Sequence, residues 1–527
     1  RLFLCTHNKP AMPQIIEIFT TPETAFEAPL LRQHIAAHLQ ISEDQLTTYQ
    51  ILRRSIDARQ RSLRYWLRIA VFVNETPPAS QTITKSYQYV AQARPVLIIG
   101  AGPAGLFAAL RLLELGYKPI ILERGKSVRE RRRDLAAINK QHILNPESNY
   151  CFGEGGAGTY SDGKLYTRSN KRGSVEQVLQ TLVYHGAAPD ILVDTHPHIG
   201  TNKLPHIIEN IRQTIIEHGG EVYFNTKVTD FVVQQHRIKG AVTADGRHWE
   251  AEQVVLATGH SARDIHRLLY EKGISVIAKS FAMGIRVEHP QALIDEMQYK
   301  TAVRNTYLPP AAYSWVEQAR GRGIYSFCMC PGGIIAPCAT AEGEIVTNGW
   351  SPSRRNNPFA NSGIVVAISA NDWQKFDRFG ELAGTQYQSE VEQAAWRAAG
   401  KTQQAPAQRL MDFLNNKTSA SLPPCSYLPG IVSANLQQEV LPAAIYHCLK
   451  DGFKQYGKKM PAYLTNEAVV VGVETRTSSP IRIPRDPATY QHPQIGGLYP
   501  IGEGAGYAGG IVSAAIDGVQ CAEHIGQ

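Results

Sequence analysis

RPVLIIGAGPAGLFAALRLLELGYKPIILER, residues Arg94 to Arg124, decides how this chain is read. Val96 to Ile99 is a short apolar, β-branched run of the kind buried on both faces of a parallel sheet. Gly100-x-Gly102-x-x-Gly105 follows at once. Gly100 permits the tight turn, Gly102 lets backbone amides approach a pyrophosphate, and Gly105 lets the next helix lie close to the strand. Leu106, Ala109, Leu110 and Leu113 then recur at helical spacing, so a helix N-terminus with unpaired N–H groups points at the phosphates. A second strand, Pro119 to Leu122, ends in Glu123, eighteen residues beyond Gly105, where a carboxylate is expected to hydrogen-bond an adenosine ribose. Glu123 favours an unphosphorylated ribose, although Arg124 stands beside it. Strand, glycines, helix, strand and acid in this order specify a dinucleotide-binding unit.

The full chain of 527 residues exceeds one ordinary core and predicts three or four units. With 43% hydrophobic and 19% charged residues it has globular composition. No apolar run approaches the roughly 18 to 20 residues that span a bilayer, so a soluble, cytoplasmic protein with no membrane partner is expected. The chain opens on Arg1, which leaves a removed leader open. The formal charge of +8 is spread along the sequence. Its densest basic run, Arg129 to Arg133, is read as a solvated helix face, with a place near phosphate as the alternative. Eight cysteines form no CxxC pair and no zinc spacing, so a reducing compartment and no metal are expected. Cys328-Met-Cys330 is the one close pair. Its thiols are expected to point apart, serving packing or leaving one thiol near the active site, with a strained redox pair as the alternative.

Residues 1–90 read as a small N-terminal α/β unit with a linker. It has strands at Ile15–Phe19, Thr48–Arg53 and Arg64–Val73, a helix at Leu30–Leu39, and a Pro-rich linker from Thr76 to Thr84. Six arginines lie between Arg53 and Arg68, with Tyr65 and Trp66 among them. Residues 1 to 90 hold ten Lys/Arg against seven Asp/Glu, so nucleic acid is not the expected partner. Residues 94–280 carry the first part of the dinucleotide fold. A helix at Leu204–His218, a strand at Glu221–Asn225, a hairpin from Val228 to Thr243 and a buried strand at Gln253–Gly259 complete that part. Residues 281–470, richer in Pro, Asn and aromatics, read as an inserted α+β substrate or cap domain, and 471–527 as the return.

The tail repeats the logic of the opening motif. Leu498–Ile501 runs into Gly502, Glu503, Gly504, Gly506, Gly509 and Gly510, and a helix starts at Ile511 and runs to His524. Two helix N-termini then face one ligand. The first suits a pyrophosphate and the second the pyrimidine end of a flavin, where negative charge develops on reduction. Gly153-x-Gly155-x-x-Gly158 also fits the GxGxxG pattern. No strand precedes it and turn formers follow, so it is read as a loop lining the cofactor, not a nicotinamide site.

With these motifs the chain resembles the glutathione-reductase-like FAD-binding superfamily, whose order is kept by Gly100–Glu123, Leu256-Ala-Thr-Gly259 and Gly502-Glu503-Gly504. The framed segments, 94–279 and 471–527, cover about half the chain. It resembles more closely a group of bacterial flavoproteins usually called uncharacterised FAD-dependent dehydrogenases. The matching runs are Gly153 to Leu165, Thr258 to Asp264, Phe327 to Gly333 and Gly472 to Pro480. The resemblance implies FAD, with no sign of covalent attachment, and supplies no substrate. Many relatives in the wider superfamily have aspartate where this chain has Glu503, which leaves the partner of Glu503 open.

Expected cofactor contacts are Gly100, Gly102, Pro103, Ala104, Gly105, Glu123, Arg124, Gly158, Thr159, Ser161, Asp162, Gly163, Lys164, Val228, Ala257, Thr258, Gly259, Gly502, Glu503, Gly504, Gly509, Gly510 and Ile511. Catalytic candidates are Lys164, as a cation near the ring, His260 as acid or base, Cys330, and Arg476 as a clamp on a substrate carboxylate or an ion-pair partner of Glu474. The function expected is a two-electron FAD-dependent oxidoreductase of dehydrogenase or reductase type, moving hydride between the flavin and a small molecule. NADH or NADPH is its candidate diffusible reductant. A flavin monooxygenase, a flavoprotein acting on RNA through residues 1–90, and a protein that keeps FAD without turnover stay open. Oligomeric state is not legible.

Overall fold

The computed structural model describes residues 13–59, 62–75, 77, 83–167 and 173–526. Cys5 and most of the expected linker lie outside them. The parallel core sheet has five strands in the order Leu498–Pro500, Val254–Leu256, Pro95–Ile99, Lys118–Leu122, Glu221–Tyr223. Leu97 pairs with Val254, and Val254 with Leu498, so the tail strand, some 400 residues downstream by number, adds to the same sheet edge. Val96, Leu97 and Ile98 are at most 1% exposed, as expected of a strand covered on both faces.

Helices Pro103–Glu114 and Leu204–Glu217 cover one face. The second buries Ile207, Ile208, Ile211 and Ile215 at the spacing read from sequence, each side chain worth about 1.5–3 kcal/mol of transfer free energy as an upper bound. A three-stranded antiparallel sheet, Val228–Gln234, Arg237–Thr243 and His248–Glu250, caps the nucleotide unit. The strand expected at Glu221–Asn225 stops at Tyr223.

The inserted segment builds a seven-stranded sheet around Phe281–Pro290. That strand pairs antiparallel with Phe359–Ile368 on one side and Val469–Glu474 on the other. Val469–Glu474 therefore belongs to the inserted sheet, and the chain returns to the nucleotide layer after Glu474 rather than at residue 471. The N-terminal unit is a three-stranded antiparallel sheet, Gln14–Thr20, Arg64–Val73, Leu46–Asp57, with helix Ala28–Leu39 on its inner face. The Leu46–Asp57 strand is longer than the Thr48–Arg53 expected. On strand Arg64–Val73, the buried side chains Leu67 and Ile69 join one continuous apolar core with Met283 and Ile285 of the inserted sheet. Of the arginines considered for a nucleic-acid face, Arg54 pairs with Asp194 at 2.8 Å, while Arg53 and Arg64 lie over Trp66 and Phe19. No helix among the described residues is long and apolar enough to cross a membrane.

One side chain of the Arg129 to Arg133 run is not solvated. Helix Val128–Gln141 buries Val128, Arg131, Leu135 and Ile138 along a single stripe, and Arg131 is 0% exposed. Its guanidinium donates to the carbonyls of Asn149 (2.6 Å), Tyr150 (2.8 Å), Glu154 (3.0 Å) and Gly156 (3.0 Å). Four charge-assisted bonds offset burial of the cation and fix the glycine loop that follows.

Candidate functional site: a cleft between two glycine turns

The two glycine turns, four hundred positions apart, meet. Helices Pro103–Glu114 and Ile511–Gly526 pack so closely that a Cβ on Gly518 would lie 2.1 Å from the Ala104 carbonyl oxygen. A Cβ on Gly502 would lie 3.0 Å from that of Ala104. Both helix N-termini therefore open on one cleft of roughly 380 Å³, roofed by the inserted sheet. Gly100, Gly102, Pro103, Ala104, Glu123, Arg124, Gly158, Ser161, Asp162, Gly163, Lys164, Val228, Ala257, Thr258, Gly259, Gly502, Glu503, Gly509, Gly510 and Ile511 line it, as do the catalytic candidates Lys164, His260 and Arg476.

The glycines divide into two kinds. Gly105 and Gly504 do not line the cleft: a Cβ would lie 2.1 Å from the Gly100 carbonyl oxygen and 2.6 Å from that of Gly259, so both serve backbone packing. Gly102 and Gly509 have no protein atom within 4 Å of where a Cβ would stand, and neither has a positive φ. The room beside them belongs to the cleft, and a ligand brought against the backbone is the demand that glycine meets there. Asp162, 2% exposed, also leaves Oδ1 in this wall without a hydrogen-bond partner among the described residues. A dinucleotide carrying hydroxyl and ring N–H donors fits these groups.

Other groups are committed within the protein. Glu123 accepts from the amides of Ala101, Gly125 and Gly153, each at 2.9 Å, so it ties the first turn to the glycine loop as well as lining the cleft. Arg124 lies 4.2 Å over Phe152, forks onto Asp264 at 2.9 Å and donates to Glu147 at 2.7 Å. Thr159, 0% exposed, turns away from the cleft and donates to the Glu154 carbonyl at 2.6 Å, against the expectation that its hydroxyl lines the cofactor. Ser161 does line it, donating to Gly158 O and accepting from Gly163 N. Gly156–Gly158 is a single 3₁₀ turn preceded by Gly155 at φ 76°, as the loop reading requires.

His260 Nδ1 lies 3.1 Å from Glu503 Oε2; the carboxylate accepts, which leaves Nε2 with its lone pair. Arg476 is not free to clamp a substrate. It donates to Glu392 (2.8 and 3.1 Å), Glu344 (2.7 Å) and Thr340 (2.6 Å). Its expected partner Glu474 is instead forked onto Arg286 at 2.8 and 2.9 Å. Arg263 donates to the same Glu392 and Glu344, so two arginines and two carboxylates bolt the inserted domain to the nucleotide unit. Arg263 and Arg476 hold the Glu392 carboxyl well below the usual carboxylate range against the opposing effect of burial.

Of the close pair it is Cys328 that lines the cleft, not Cys330, which is 0% exposed and outside the lining. The thiols do not diverge as expected either, since both approach Lys164. Burial works against the Lys164 ammonium, but the two sulfurs and Asp162 outweigh it and hold its pKa above the ordinary lysine value. Sequence reading also missed Cys151 and Asn348 in the wall. Cys151 has no local signal; the 128, 131, 135, 138 stripe is the signal that finds Arg131.

Comparison with known proteins agrees with this geometry. Family models match residues 94–266 (pyridine nucleotide-disulphide oxidoreductase), 205–352 (FAD dependent oxidoreductase) and 280–477 (FAD-dependent protein, C-terminal domain-like), and residues 12–72 match a domain of unknown function. Fold and cleft define a protein of the FAD-dependent oxidoreductases, with FAD as its cofactor. The chain is 39% identical over 516 residues, 94% of its length and 95% of the relative's, to an uncharacterized protein of Clostridium beijerinckii, and it belongs to the same family. A thiamine thiazole synthase of Aeropyrum pernix is 27% identical over 215 residues, 38% of this chain and 66% of its own. A solved flavin-dependent brominase is 13% identical with a TM-score of 0.37, covering 82% of this chain and 78% of its own, a likeness too loose to bear on the reaction.

Proposed function

We propose that this protein is a dehydrogenase or reductase that moves a hydride between FAD and a small molecule held in the cleft beneath the inserted domain. FAD, when bound, supplies a ring that takes or gives two electrons. The observation that supports the reading most is the pair Gly102 and Gly509, one in each turn, whose bare Cα atoms face the same cleft for no intraprotein reason.

The residues have separable tasks. The N–H groups at the starts of helices Pro103–Glu114 and Ile511–Gly526 would hold the negative groups of the dinucleotide. Lys164 keeps a positive charge in the wall, where it lowers the cost of negative charge accumulating opposite it. His260, oriented by Glu503, offers Nε2 to take or return a proton. The Arg263–Arg476–Glu344–Glu392 lock keeps the roof in register with the floor and so excludes water. NADH or NADPH serves as the diffusible electron donor, the substrate is a small molecule rather than nucleic acid, and the unpaired cysteines suit a cytoplasmic setting.

The test is anaerobic. The purified protein is reconstituted with FAD, its visible spectrum recorded, and NADH, NADPH and a metabolite set screened for bleaching of the flavin band. Bleaching by a reductant and recovery with a second compound are expected. A protein that stays colourless after reconstitution, or a yellow one that none of these bleaches, overturns the proposal.

A further inference from the structure

Lys164 Nζ stands 3.7 Å from Cys328 Sγ and 3.5 Å from Cys330 Sγ, and it also donates to the Met329 carbonyl between them. The backbone explains why both sulfurs meet one ammonium. Pairing of strand Arg322–Cys330 with Phe359–Ile368 slips between Phe327 and Cys330, and Cys328 takes a left-handed φ of 48°. A non-glycine residue held there is strained and is retained where surroundings impose it. Here Arg286 imposes it. Fully buried and anchored on Glu474 and Asn361, it donates to the Cys328 carbonyl at 3.3 Å.

The two thiols are unequal. Cys328 lines the cleft, while Cys330 is 0% exposed behind it and donates to the Cys328 carbonyl at 3.2 Å. Cys330 beside it, with Lys164 and Arg286 nearby, pulls the Cys328 thiol well below its ordinary value despite burial. Burial, with Cys328 beside it, pushes Cys330 well above. A half-buried sulfur facing the cleft, backed by a fully buried one, is the division of labour between an attacking and a resolving cysteine.

We propose that Cys328 and Cys330 form a thiol–disulfide exchange site in the cleft wall, with a small-molecule disulfide as substrate. The Cys328 thiolate attacks one substrate sulfur, the substrate S–S bond breaks, and the first thiolate leaves with a proton. Cys330 then gives up its proton and attacks the Cys328 sulfur of the mixed disulfide, and the second thiolate leaves. The substrate gains two electrons and two protons, and the cysteine pair loses two hydrogens and keeps an S–S bond. Added dithiol returns the two electrons and two protons and closes the cycle. The site stands apart from the hydride-transfer reading, because the exchange itself requires no flavin.

The experiment uses the full-length protein, prereduced and freed of thiol, with the aromatic disulfide dithiodipyridine as probe. Wild type is expected to release two equivalents of pyridinethione rapidly and to lose two hydrogens, mapped to Cys328–Cys330 by peptide mass spectrometry. Cys330→Ser releases one rapid equivalent and retains the adduct on Cys328; Cys328→Ser loses the rapid phase. Lys164→Met keeps the stoichiometry, moves the pH midpoint of the rapid phase upward and slows it about tenfold at neutral pH. Cys151→Ser, which removes the other cleft thiol, keeps the Cys328–Cys330 product. Near-ultraviolet circular dichroism establishes that each variant is folded. A persistent adduct on Cys328 in wild type, a rapid phase surviving Cys328→Ser, or one lost in Cys151→Ser overturns the inference. Flavin binding, read from the visible spectrum of the same samples, succeeds or fails independently.

Discussion

Gly102→Ala and Gly105→Ala insert the same methyl group three residues apart and should have opposite consequences. At Gly102 the backbone sits at φ −76° and ψ −179°, which alanine adopts freely, and the new methyl meets no protein atom within 4 Å. The small loss of glycine's helix-cap preference and the reduced entropy of the unfolded chain nearly cancel, leaving stability within about 1 kcal/mol of wild type. The methyl does occupy the ground where a phosphate must approach the amides. Losing one charge-assisted hydrogen bond costs about 1.5–3 kcal/mol, so the Kd for FAD should rise about 10- to 150-fold. At Gly105 the methyl would stand 2.1 Å from the Gly100 carbonyl oxygen and 3.2 Å from Ile98 Cγ2, so the helix must lift by roughly 1 Å from the strand. Overpacking against backbone costs at least about 3 kcal/mol. Thermal melts of the FAD-free proteins and quenching of FAD fluorescence on titration separate the two effects. The reasoning fails if Gly102→Ala melts as early as Gly105→Ala, or if it binds FAD within about threefold of wild type.

Arg476→Met leaves Glu344 and the fully buried Glu392 sharing Arg263 alone, and urea unfolding should show a loss of about 3–5 kcal/mol; an unchanged midpoint would show that the lock adds nothing. His266 and His289 are 0% exposed, each with Nε2–H donating to a carbonyl (Gly504 and Tyr463) and Nδ1 unpartnered, and burial lowers both to about 4. The unfolded chain takes up these protons near pH 6.5 while the folded chain resists. Their contribution is therefore complete above about pH 6.5 and is lost as pH falls through 4. His289→Gln should flatten the stability-against-pH slope in that window by about one proton, and an unaltered slope counts against this origin. Lys164→Met should slow flavin reduction about 100-fold while FAD still binds; stopped-flow rates equal to wild type would remove Lys164 from the reaction.

Local order was legible because it obeys local rules. Val96–Ile99, the glycine turn and Leu106–Leu113 lie within twenty residues, and their pattern demands strand, turn and helix whatever else the chain does. The tail motif carries the same grammar, so its strand and its helix from Ile511 were also readable. Thr159 misled because a hydroxyl in a glycine loop has two directions to turn, and the Glu154 carbonyl five residues back captured it.

What the sequence determined by itself was a dinucleotide-binding unit with its two glycine turns, since backbone approach to a dinucleotide needs glycine at fixed spacing within one strand–helix unit; the resemblance, not the spacing, implied FAD. What only the tertiary structure decided was which side chains the cleft keeps. Gly518 lets the two helices touch, Arg476 finds Glu392 and Glu344 rather than Glu474, and a slipped register brings Cys328 forward and leaves Cys330 behind. The physical reason is that a buried charge or thiol takes its character from whatever packs against it. For these residues that is chain tens to hundreds of positions away.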